Sequence, residues 1–189
     1  MPTKVPLRNK LDKKFTWNAE SVFPSDQAWG EEVKQILESI SNVKQYQGRL
    51  AEGPSVLLEA LEAAYKLISC GQKAFMYAGF SYAVDTTNQH AAGMRGKAQG
   101  MYGQVLSAVS FLQPGILEIG REKLDEWLNQ NEKLATYKHY FDDLFRKQAH
   151  VRSAEVEELL GLVSDPLQGP GNSTSMLTNA DFKFKPVKD

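Results

Sequence analysis

From Ser25 onward apolar residues recur every three or four positions almost without a break, the period of helices that each bury one face. Trp29, Val33, Ile36, Leu37 and Ile40 form the first stripe. Ser25 stands just before it with a hydroxyl to accept an unpartnered amide, and Asp26 sits in the first turn, where the dipole favours a negative charge. Gly53 and Pro54 open a second helix, since proline at the first position gives up only an amide that has no partner there. Its stripe Leu57, Leu61, Ala64, Ile68, Gly71, Phe75, Ala78, Tyr82 steps by four and three alternately, the seam of a helix packed at a shallow angle on a neighbour. The polar run from Asp85 to Asn88 breaks that helix and caps the next. A third helix, 88–112, buries Ala91, Met94, Ala98, Met101, Val105, Ala108 and Leu112, so a long antiparallel hairpin results.

Pro114 and Gly115 read as the stop of the third helix, followed by shorter helices over 121–128, 134–147 and 153–164 with caps at Gly120, Asn131 and Ser153. The stretch 164–175, with Pro166, Gly169, Pro170 and Gly171, reads as the one long loop. A short helix over 173–180 and a strand beginning at Phe182, Phe184 and Val187 complete the pattern. A lone strand does not stand by itself, so this one needs a partner. The expected fold is all-α, helical hairpins in a multi-helix array, divided into an extended arm (1–24), a helical domain (25–163) and a closing loop, short helix and strand (164–189).

One feature of the third helix is not explained by a single buried face. Gly93, Gly96, Gly100 and Gly103 form a second line at the same spacing on its far side. Glycine inside a helix costs about 1 kcal/mol relative to alanine, so four in line imply that something approaches closely. A second tight helix contact and the floor of a groove for a bound peptide or partner are both open readings.

Composition narrows the function. The 189 residues carry 22 Lys and Arg against 23 Asp and Glu, and this balance offers no basic excess for nucleic acid or an anionic membrane. No apolar run approaches the length of a membrane span, and the N-terminal segment lacks the apolar core of a signal peptide. The single Cys70 excludes a disulfide framework and fits a reducing, cytoplasmic setting. Three histidines, His90, His139 and His150, lie too far apart for two to meet one metal across a helical turn, and no HExxH occurs. His139 with Asp142 and Asp143 is the nearest metal-like grouping, and a surface ion pair is its plainer reading. Cys70 has Lys66 and Lys73 near it in sequence, without a partner base. No serine stands in a GxSxG setting, and the Gly169–Ser175 run lacks the GK[ST] ending of a phosphate loop.

Several segments together resemble the N-terminal part of oligoendopeptidase F and the related thimet-oligopeptidase-like zinc metallopeptidases. They are FTWNAESVFPSDQAW (15–29), YAVDTTNQ (82–89), SFLQPGIL (110–117), YKHYFDDLFR (137–146), HVRSAEVEELL (150–160) and NSTSMLTNADFKF (172–184). The resemblance implies a helical region that, with a catalytic region of the same protein, encloses a narrow channel for short peptides. In that family zinc is held by HExxH and a downstream Glu, and no position here matches them, so no catalytic or metal residue carries over and this chain alone is expected to bind no zinc. The glycine line Gly93, Gly96, Gly100, Gly103 becomes the candidate channel or interdomain face. The competing readings are a stand-alone helical interaction module and a small enzyme built on His139, Asp142 and Asp143.

Overall fold

The computed structural model describes residues 10–150 and 152–183. Every regular element among them is helical, as the periodicity requires. α1 (Asp26–Ser39) and the single turn α2 (Ser41–Lys44) lead to the long hairpin of α3 (Pro54–Val84) and α4 (Gln89–Val109). Then come α5 (Leu112–Ile119), α6 (Arg121–Gln130), the short α7 (Glu132–Ala135), α8 (Lys138–Arg146) and α9 (Ala154–Met176).

The starts of the main helices follow from local chemistry. Ser25 accepts the amide of Ala28 at 3.1 Å, and Asn88 accepts those of His90 and Ala91 at 3.0 and 3.1 Å. Asn131 and Ser153 cap α7 and α9 in the same way, while Pro54 occupies the first turn of α3. The α3–α4 hairpin is the spine of the core. Leu57, Ala64, Ala78, Ala98, Met101 and Val105 are almost wholly enclosed along it. Gly71 lets the two helices close, because a β-carbon there would stand 3.3 Å from Val105 Cγ2 and 3.4 Å from Tyr102 Cδ2. Trp29 ties α1 to α3 by donating its indole N–H to the Ala74 carbonyl at 2.9 Å. Phe141, Leu134, Leu124 and Ile116 extend the same core into the shorter helices.

The structure departs from the sequence reading in four places. The third helix stops at Val109, and Pro114 with Gly115 lies inside the first turns of α5 rather than ending its predecessor. Proline is harmless there because the first amides of a helix have no carbonyl to reach. The helix expected over 134–147 is broken into α7 and α8 around Thr136 and Tyr137. The arm before residue 25 is not extended throughout: turns at Lys13–Phe15 and Ala19–Ser21 hold Trp17 against Tyr77 and Phe80, and Phe23 against Tyr77.

The largest departure is 164–175, expected as a loop and found as the second half of α9, with Pro166 and Pro170 inside it. Proline removes a helical hydrogen bond, so tertiary contact must hold this helix in place. α9 runs antiparallel along α4: a β-carbon at Gly161 would lie 3.3 Å from Ser107 Cα, and Asn172 accepts from Arg95 at 2.9 Å. Ser173 and Thr174 also turn their hydroxyls back to the Gly169 and Pro170 carbonyls, each at 3.0 Å. No strand occurs among the described residues. Phe182 has extended backbone and its amide donates to the Leu177 carbonyl at 2.8 Å, and Phe184 and Val187 of the expected strand lie outside the described residues.

Candidate functional site

The glycine line lies on α4 clear of the α3 seam. Gly93 and Gly96 are exposed, Gly100 and Gly103 half-buried, and a β-carbon at any of the four would meet no atom of the described residues within 4 Å. The tight helix approaches in this fold are made by other glycines, Gly71 of α3 and Gly161 of α9, each pressed on α4. The line therefore borders open space beside the α4–α9 contact.

At the turn end of the α3–α4 hairpin, reached from α4 by Arg95, is a cleft of about 800 Å³. Met76, Phe80 and Val84 give it an apolar side, each more than two-fifths exposed, while Asp85 and Arg95 give it charge. Arg95 is positioned twice: its guanidinium lies over the Tyr82 ring at 4.7 Å and donates to Asn172. Asp85 accepts from the Thr87 hydroxyl at 2.6 Å and the Thr87 amide at 3.0 Å, and these bonds hold its carboxyl below the usual range.

A polar cluster that sequence spacing did not bring together joins the start of α1 to the hairpin. Asp26 pairs with His90 Nε2 at 2.8 Å and accepts from the Tyr77 hydroxyl at 3.2 Å. Burial, then the Asp26 charge, pushes the Tyr77 phenol up. These residues stand 51 and 64 positions apart from Asp26, a distance only the packing of α1 across α3 and α4 closes.

The candidates for independent chemistry come apart. Asp142 is held by Lys138 at 3.0 Å and Arg121 at 2.5 Å, and Asp143 by Lys147 at 2.6 Å and by Arg146. These bonds, with Lys138 dominant for Asp142 and Lys147 for Asp143, keep both carboxyls below their ordinary range. The carboxylates beside exposed His139 thus serve interhelical and intrahelical ion pairs. Among the described residues no three His, Cys, Asp or Glu side chains converge as a zinc site would require. Cys70 is half-buried at a cleft of about 390 Å³ with Lys66, whereas Lys73 turns to the Phe23 ring at 4.8 Å. The Gly169–Ser175 run is helical, so its amides do not form a phosphate cradle. No helix among the described residues is long and apolar enough to cross a membrane.

Comparison with known proteins finds similarity to oligopeptidases. A family model described as Oligopeptidase F matches residues 116–184. Oligopeptidase PepF of Bacillus subtilis is 34% identical over 186 residues, which are 98% of this chain and 28% of that protein. Along nearly its whole length the chain is similar to part of the oligoendopeptidase F proteins. Group B oligopeptidase PepB of Streptococcus agalactiae is 30% identical over 96% of this chain and 30% of its own length. The crystal structure of oligoendopeptidase-F from Enterococcus faecium superposes with a TM-score of 0.80 at 27% identity, covering 86% of this chain and 32% of that one. The chain thus corresponds to the N-terminal region of oligoendopeptidase F proteins and spans about 30% of the length of the curated relatives it matches.

Sequence reasoning located the α4 glycines but missed the cleft at the hairpin turn. Met76, Phe80 and Val84 follow one another at four-residue spacing, a signal of a second apolar stripe on α3 that the main seam obscured.

Proposed function

We propose that this chain is the non-catalytic N-terminal region of a zinc-dependent oligoendopeptidase that hydrolyses short peptides in the cytoplasm, where it forms one wall of the substrate channel. The observation that carries the reading is the match to oligopeptidases along 98% of this chain and only 28% of the relative's length, in a sequence without HExxH. Chemistry and zinc then belong to a catalytic region elsewhere in the same polypeptide. In this reading the line Gly93, Gly96, Gly100, Gly103 is the face that meets the peptide or the catalytic region. Two features support that part: the absence of side chains along it, and the cleft at the hairpin turn with Arg95 at its edge.

The test begins with the reading frame beyond Asp189. Continuation into an HExxH region is expected. The complete product should carry one zinc and cleave short quenched-fluorescence peptides, whereas the 189-residue chain should hold no stoichiometric zinc. Gly96→Leu with Gly100→Leu in the complete enzyme should lower kcat/KM for those peptides and leave zinc content unchanged. A gene product that ends at Asp189 would favour a stand-alone interaction module, and unaltered kinetics in the double variant would remove the glycine line from the channel.

A further inference from the structure

Among the described residues α9 packs chiefly on α4 and also touches α5. Toward α4 it presents Gly161 and Asn172, and Glu158 reaches Lys44 at 3.8 Å. On the opposite side Val156, Leu159, Leu160, Val163 and Leu167 recur at three- and four-residue steps. At 100° per residue they span an arc of about 100°, centred roughly 150° round the helix from Gly161 and Asn172. Leu159 is 58% exposed, Leu160 51% and Leu167 72%. A helix with one docked face and a continuous apolar stripe on the other is a helix meant to be covered twice, since an exposed apolar patch of this kind marks an interaction surface.

We propose that this outward stripe of α9 is the seat of the polypeptide that follows this region in the full-length oligoendopeptidase, an inference that rests on the proposed function above. Three observations select that occupant. The matched relatives are more than three times as long as the aligned region, so most of such a polypeptide lies beyond it. α9 is the last α-helix among the described residues, so polypeptide continuing beyond 189 in a longer protein is tethered to it through the 13 residues 177–189 and docks at high effective concentration. The family match, 116–184, contains the whole of α9. Glu155 and Glu157 flank the stripe and oppose an anionic lipid surface as the occupant.

The experiment compares hydrogen–deuterium exchange over residues 156–167 in the 189-residue chain and in the full-length protein. The expected result is exchange slowed about tenfold or more in the full-length protein. Leu159→Glu with Leu167→Glu should abolish that added protection, while Tyr65→Glu, at another exposed site, should leave it intact. Equal exchange in the two unaltered proteins overturns the inference without need of any variant. It is also overturned if the short chain sediments as a dimer that the double variant dissociates while the full-length protein gains no protection, which assigns the stripe to a second copy. A gene product ending at Asp189 overturns the proposed function as well. A full-length protein that cleaves peptides with α9 unprotected overturns only this inference.

Discussion

The glycines of α4 make a quantitative prediction, because two explanations of them have opposite signs. If Gly96 and Gly100 were there to admit a neighbouring element of this same chain, adding methyl groups would force that element away and destabilise the fold. No atom of the described residues lies within 4 Å of a β-carbon at either position. Gly96→Ala and Gly100→Ala should then deliver only the helix-propensity gain, about 0.8–1 kcal/mol each and close to 2 kcal/mol together. For a chain of this size that raises Tm by about 4–8 °C, read by circular dichroism at 222 nm. Gly71 is the internal control. Its alanine variant gains the same backbone term, but the new methyl presses on Val105 and Tyr102 at 3.3 and 3.4 Å, so little net change is expected. Gly71→Leu should cost about 1–3 kcal/mol by forcing the α3–α4 seam apart. A double alanine variant of Gly96 and Gly100 that melts lower than the parent would refute the reasoning, for it would mean that the face is occupied within the chain itself.

Two further outcomes follow from the core and the charges. Phe141 is fully enclosed between α8 and the shorter helices, so Phe141→Ala should cost about 3–5 kcal/mol in urea unfolding, a large part of the total stability of a domain. The carboxyls of Asp85, Asp125, Asp142 and Asp143 are all held low by donors or cations in the fold. The unfolded chain therefore binds more protons than the folded one near their ordinary range, so stability is present above about pH 4 and falls as pH drops through the lowered values. Urea midpoints at about pH 3 should lie below those at about pH 6, with the difference reduced in 1 M salt because these groups are solvent-exposed.

Much of this fold was legible because helices are specified locally. Ser25, Asn88, Asn131 and Ser153 act as caps from their own side-chain chemistry, and Pro54 starts α3 from its own missing amide. The stripe from Ala91 to Leu112 was buried as its period required. Candidate sites were less legible. The clefts and the Asp26–His90–Tyr77 cluster depend on how α1 crosses the hairpin, and no spacing along the chain encodes that crossing.

The sequence by itself determined that this protein is helical, where its main helices begin and which faces they bury, because those choices rest on interactions within a few residues. It also excluded a catalytic metal motif from the chain. Only the tertiary structure decided the course of 164–175, where two prolines and two glycines argue locally for a loop. The support of α4, through the close approach at Gly161 and the bond from Arg95 to Asn172, outweighs that preference and carries the helix through. The same packing decided that the α4 glycines face open space and that α9 turns an apolar stripe outward.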